Sequence, residues 1–133
     1  MIEIIKTTHI DDILKLQETN NFNIIKNSEE NQYIYLLKKD NNIIGYLAAS
    51  FLFDHYDISS VLIDKNYRCN SYASLLIEYF LKENSNYDIF LEVRKSNISA
   101  IKLYTKHNFK QISIRKNYYK NPNEDALIFK YII

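Results

Sequence analysis

A chain of 133 residues that is 47% hydrophobic suits a single domain, residues 1–133, with an ordinary core. Its net charge of +1, from 17 basic and 16 acidic side chains, excludes the concentrated basic face of a bulk nucleic-acid binder. One cysteine excludes an internal disulfide framework and a cysteine-rich metal site, and no apolar run approaches the ~20 residues that cross a membrane.

Residues 2–6 alternate weakly and predict a first strand. The stretch 10–16 places apolar residues at helical spacing with Asp11 and Asp12 in its first turn, so a helix follows. Residues 20–31 are polar and asparagine-rich, a loop or a short helix. Residues 33–38 read as a strand, Asp40-Asn41-Asn42 as a turn and 43–53 as a second strand, together a hairpin. Residues 58–63 predict a buried strand. A helix over 71–83 places Leu75, Leu76, Tyr79 and Phe80 on its inner face. Then come a strand over 89–93, a helix over 97–107 and two strands over 109–116 and 126–132. The order β-α-β-β-β-α-β-α-β-β predicts an α/β fold with a mixed sheet in two or three layers. The opening residues lack the order of a signal peptide, so a cytoplasmic protein is expected.

Gly45 is the only glycine and Pro122 the only proline. Wherever the backbone needs φ > 0, asparagine must usually serve, as the next most tolerant residue. Asn97 is placed to cap the helix that follows it. Asn108 falls where a helix ends in the left-handed conformation.

The segment from Leu91 to Phe109 carries the chemistry. An apolar strand ends at Glu92 and passes directly to the Asn97 cap; Tyr104 lies two helical turns beyond, on the side that Asn97 occupies. A carboxylate base and a phenolic acid on neighbouring elements can face one cleft, and acyl transfer to an amine needs one group to remove a proton and one to return it. Each residue also has a plainer reading, Glu92 as a solvated strand-end acid and Tyr104 as one core tyrosine among twelve. Cys69 has no histidine near it in sequence, which argues against a nucleophilic thiol. His9, His55 and His107 lack metal-ligand spacing, so no metal is expected and surface or capping roles suit them. Residues 115–119 form a short basic-aromatic run, a weak patch in a neutral chain.

The run Leu91-Glu92-Val93-Arg94, Ser96-Asn97, Ala100-Ile101, Leu103-Tyr104 and Phe109, followed by Arg115-Lys116-Asn117-Tyr118-Tyr119 and Glu124-Asp125-Ala126, resembles the GNAT superfamily of acetyl-CoA-dependent N-acetyltransferases. Within it the likeness is to the ribosomal-protein-alanine N-acetyltransferase (RimI-type) subfamily. The last third of the chain matches closely, residues 61–80 more loosely, and the first 55 only in element order. The resemblance implies a GNAT-like fold with a split between the fourth and fifth strands. It implies Glu92 as general base and Tyr104 as general acid. The pantetheine arm of acetyl-CoA would lie along Val61, Leu62 and Ile63 and touch Asn97. The phosphates would sit on the loop Arg68, Cys69, Asn70, Ser71, Tyr72, Ala73 and Ser74, where a helix N-terminus offers free amides and partial positive charge. Arg115, Tyr118, Tyr119 and Glu124 would line the acceptor-peptide groove.

The family's loop reads Q/R-x-x-G-x-G/A, and Ser71 replaces its central glycine, so weakened cofactor binding is expected. The family's Pro-Trp segment after the first helix is Asn23-Ile24 here. The expected activity is transfer of acetyl from acetyl-CoA to a protein's N-terminal α-amine, with a ribosomal protein starting with alanine as acceptor, by a monomer or weak dimer that binds neither membrane nor nucleic acid. The alternatives are a small-amine or lysine acetyltransferase, and a catalytically decayed module that binds CoA or the ribosome.

Overall fold

The computed structural model describes residues 1–21 and 31–133. Its elements are β1 (Ile2–Thr7), α1 (Asp11–Thr19), β2 (Gln32–Lys39), β3 (Asn42–Leu52), β4 (His55–Ile63), α2 (Tyr72–Glu83), β5 (Asp88–Arg94), α3 (Ile98–Lys106), β6 (Phe109–Tyr119) and β7 (Glu124–Tyr131), with a short 3₁₀ turn at Lys65–Tyr67. The expected order holds. Asn23 and Ile24 lie outside the described residues.

The seven strands form one sheet in the order β1-β2-β3-β4-β5-β7-β6. Every neighbouring pair is antiparallel except β4 and β5. A parallel pair needs a crossover, and α2 supplies it. Helix α1 covers one face, where Ile10, Ile13 and Leu16 meet Ile34, Leu36, Tyr46, Ala48 and Leu62. Helices α2 and α3 cover the other, where Leu76, Ile77, Phe80 and Tyr104 meet Leu37, Leu47, Ile58, Leu91, Val93 and Phe129. Three layers result.

The expected inner face of α2 needs correcting. Leu76 and Phe80 are buried, but Leu75 and Tyr79 are 37% and 41% exposed, and Ile77 and Leu81 hold the inner positions instead. The helix is apolar on most of its circumference from Leu75 to Leu81, so no polar stripe marks its phase.

Two local features shape the middle of the sheet. In the first, β3 and β4 pair Ala48 with Ser60 but Ala49 with Ile58, leaving Ser59 as an extra residue, a β-bulge. The bulge reverses which side chains face which layer. Tyr56 and Ile58 belong to the α2/α3 core, whereas beyond the bulge Leu62 joins the α1 core and Ile63 the α2/α3 core. Ser60 is held on the α1 side by its hydroxyl, which donates to Tyr46 Oη at 3.2 Å; Tyr46 in turn donates to Gln17 Oε1 at 3.0 Å. In the second, β4 and β5 pair only from His55↔Asp88 to Ile58↔Leu91 and part just where the bulge begins. The split between the fourth and fifth strands is therefore present.

Gly45 sits opposite Ile63 at the end of β4. A Cβ there would lie 2.6 Å from Ile63 Cδ1 and 2.8 Å from the Leu62 carbonyl oxygen, so the glycine permits a close approach rather than a turn. The turns use other residues: among the described residues ten non-glycine positions have positive φ, and six are asparagines, Asn108 at φ 68° among them. Gly45→Ala should cost about 1–3 kcal/mol, because the Leu62 backbone cannot yield as a side chain would. Urea denaturation checks this; an unchanged midpoint would show that β4 can shift freely.

Candidate active site

Where β4 leaves β5, the β5-facing backbone edge of residues 59–63 has no strand partner. Beside it lies a cleft of about 490 Å³. Val61, Leu62 and Ile63 form one wall, the start of α2 with Ser71, Tyr72, Ala73 and Ser74 closes one end, and Asn97, Ala100, Leu103 and Tyr104, from α3 and its cap, form the opposite wall. Of the residues expected to hold a cofactor, all but Asn70 line this cleft. Asn70 instead turns its amide to the Tyr67 and Arg68 carbonyls, both at 3.2 Å, and shapes the loop from outside.

The loop into α2 is strained at two non-glycine positions, one of them the Ser71 that replaces the family's glycine. Cys69 has φ 66° and Ser71 has φ 61°, ψ 21°, the left-handed region. Ser71 caps α2 by position but makes no side-chain cap bond, so the amides of the first turn stay open toward the cleft. Those donors and the helix dipole favour an anion there. Arg68 lines the cleft and donates from Nε to the Ile63 carbonyl at 3.0 Å, pinning the end of β4. Asn20 was not foreseen. It closes the mouth by donating from Nδ2 to Asp64 at 3.0 Å and accepting from the Lys65 amide at 2.9 Å.

Across the cleft, the Asn97 side chain accepts from the Ala100 amide at 3.2 Å, the expected cap. Tyr104 is buried edge-on against Phe109, and its hydroxyl makes no hydrogen bond to another of the described residues. Burial pushes its phenol up to about 12, so it stays protonated across the ordinary pH range.

Glu92 does not share this cleft, contrary to the expectation of one cleft for both residues. Along β5, Ile89, Leu91 and Val93 point into the α2/α3 core, so the alternation sends Phe90 and Glu92 to the opposite face. There Glu92 lines a second cavity of about 770 Å³ with Ser59, Phe90, Arg115, Tyr118 and Tyr119. That cavity reaches Ile58 and Leu91, the last paired rung before the strands part, and the first cleft starts at Val61 on the same strand. The two spaces thus flank one gap from opposite faces of the sheet.

Within the second cavity, Arg115 Nε lies 3.4 Å from Glu92 Oε1, and its guanidinium sits 5.3 Å from the Tyr118 ring centroid. Burial, with the nearby Glu92 charge adding to it, raises the Tyr119 phenol above its usual range. Glu124, expected in the same groove, does not line it. Its carboxylate accepts from the Ser96 amide and pairs with Arg94 at 3.2 Å, tying β7 to the turn before α3. The Ser96 bonds and, more weakly, Arg94 hold its carboxyl below the usual range. Asp54, His55, Asp57 and Asp88 at the cavity's open end were also not foreseen, because nothing in sequence joins 54–57 to 88 before the parallel pairing does. No cluster of three or more side chains suited to a metal ion exists among the described residues, and no described helix is long and apolar enough to cross a membrane.

The acetyltransferase (GNAT) family matches residues 2–109, and the chain belongs to that family. It is 35% identical over 114 residues, 80% of this chain and 77% of the relative, to the ribosomal protein bS18-alanine N-acetyltransferase of Haemophilus influenzae. In fold it is similar to the ribosomal-protein-S18-alanine N-acetyltransferase of Escherichia coli, with a TM-score of 0.83 at 22% identity over 98% of this chain and 93% of that one. It is also similar in fold to Arabidopsis thaliana NAA60, solved in complex with acetyl-CoA, with a TM-score of 0.80 at 17% identity over 100% and 99% of the two chains.

Ser71→Gly should stabilise the protein by about 0.5–1 kcal/mol: relief of left-handed strain of roughly 1–2 kcal/mol exceeds glycine's added unfolded-state entropy. Chemical denaturation checks this. A loss of stability would mean that the Ser71 side chain contributes more than its backbone strain costs.

Proposed function

We propose that this protein transfers acetyl from acetyl-CoA to the N-terminal α-amine of a protein, with an alanine-starting ribosomal protein as acceptor. The observation that carries the reading is the unpaired β4 edge running into the open amides of α2, with the protonated Tyr104 phenol opposite. Such an edge suits the amide-rich pantetheine arm, and the helix start suits the pyrophosphate. The name of the Haemophilus influenzae relative supports the acceptor class.

The two-sided arrangement supports approach of donor and acceptor from opposite faces of the sheet. The thioester occupies the first cleft, and the acceptor enters through the second cavity, where Glu92, Arg115, Tyr118 and Tyr119 lie. An unperturbed α-amine has a pKa of about 7.7–8.0 and arrives mostly as ammonium at neutral pH. Glu92 takes one proton from it, directly or through water. The freed nitrogen lone pair attacks the thioester carbonyl carbon, and an amide of the β4 edge near Leu62 stabilises the oxyanion. The intermediate collapses with cleavage of the C–S bond; Tyr104 supplies the proton to sulfur, and nitrogen loses its second proton. The products are the acetylated chain, CoA thiol and one released proton. Arg115 orients the Glu92 carboxylate until the acceptor's ammonium competes for it.

Glu92→Gln and Tyr104→Phe should each lower kcat/KM by about 10²–10⁴ with acetyl-CoA and an alanine-starting peptide. Parent-like rates for both variants would remove the role assignment.

The pH profile supplies a second check. Tyr104 is protonated until pH nears 12, so kcat with saturating peptide should stay level from pH 8 to about pH 10, with no loss of the acid. A decline at pH 9 would point to a different acid.

Ser71 favours one second reading, a member that binds CoA without turnover. Calorimetric CoA binding with no peptide acetylation would select it.

A further inference from the structure

We propose that His107 is a positioning residue for the anionic end of the cofactor: its Nε2 orients the Ser74 hydroxyl so that the hydroxyl proton is offered to a phosphate oxygen at the start of α2. The inference rests on the reading of the first cleft as a CoA site. His107 follows α3 directly and is buried, and Ser74 is buried in the first turn of α2. Their side chains meet across 33 residues of sequence, Nε2 to Oγ at 3.0 Å. The contact ties the helix that carries Tyr104 to the turn whose amides are open. Ser74 also lines the cleft itself.

The pair has two ways to share its protons. Burial lowers the His107 pKa, outweighing the opposing charge of Glu78, and the nearby Lys106 lowers it further, so the ring is mostly neutral at pH 7. A neutral imidazole has one N–H and one acceptor nitrogen. If Nε2 is the acceptor, Ser74 gives its proton to the ring and shows only lone pairs to the cleft, which repel phosphate. If Nε2 carries the proton, it donates to Oγ and leaves the serine proton free for an anion. A phosphate at the open amides therefore selects the Nε2–H tautomer. His107 acts through Ser74 and does not touch the reacting thioester.

The test compares coenzyme A with pantetheine, which carries the same thiol arm without phosphates. His107→Phe should weaken CoA binding about tenfold or more, as loss of one hydrogen bond to a charged group does, and leave pantetheine binding within about twofold. Ser74→Ala should do the same, and the double variant should be little worse than either single one. His107→Gln, whose side-chain amide again offers an N–H, should recover most of the loss. Ring ¹⁵N shifts of the CoA complex should show Nε2 protonated. Equal weakening toward both ligands, unchanged CoA affinity, or a bound Nδ1–H tautomer would each overturn the inference. If His107→Phe does not fold, Ser74→Ala, which removes only the hydroxyl, decides alone. A parent protein that does not bind CoA would overturn the functional reading and this inference together, whereas CoA binding indifferent to Ser74 and His107 would overturn this inference only.

Discussion

The parting of β4 from β5 is the constraint on which the rest depends. Sheets do not leave strand edges unpaired inside a protein without cause, since each open amide and carbonyl loses a hydrogen bond. Here the cause is local. One extra residue at Ser59 breaks the alternation of β4, and the polar chain from Ser60 through Tyr46 to Gln17 anchors the displaced strand to the α1 layer. Burial pushes the Tyr46 phenol up to about 12, so the middle link of that chain stays protonated. Gly45 lets β3 lie close against the end of β4. The edge left behind is polar, and it runs into a helix start whose first amides are also open.

The same parting divides the chemistry between two faces. A strand alternates its side chains, so β5 cannot place Glu92 and its core-facing neighbours on one side. Tyr104, on a helix packed against the core face, belongs to the other side. In the proposed reaction this separation is useful: the donor and the acceptor come from opposite faces, and only the reacting atoms share the gap. Glu124, drawn away from the groove to hold Ser96 and Arg94, helps to fix the turn from which α3 and its tyrosine start.

Much of the unit from β5 to β6 was legible in the sequence because its signals are local. Asn97 caps by reaching three residues ahead, and Asn108 takes the left-handed turn because its short amide tolerates it. The loop into α2 was picked out by its likeness to the family's loop, and Ser71 takes a left-handed conformation of the kind glycine favours. What was not legible required distance or phase. The inner face of α2 could not be phased in a helix apolar on most sides. The bulge at Ser59 leaves no mark in a run of two serines. The meeting of Ser74 with His107, and the gathering of Asp57 and Asp88 at one cavity, exist only once the strands pair. The single cleft expected for Glu92 and Tyr104 treated spacing along the chain as sufficient and omitted the alternation of β5.

A crystal structure of the protein with acetyl-CoA tests the central claim most directly. The account predicts the pantetheine arm bonded along residues 61–63, the pyrophosphate on the amides of Tyr72 to Ser74, and the Tyr104 hydroxyl within hydrogen-bond distance of the thioester sulfur. A cofactor seated elsewhere, or a β4 that closes onto β5 and leaves Tyr104 sealed from the thioester, would contradict it.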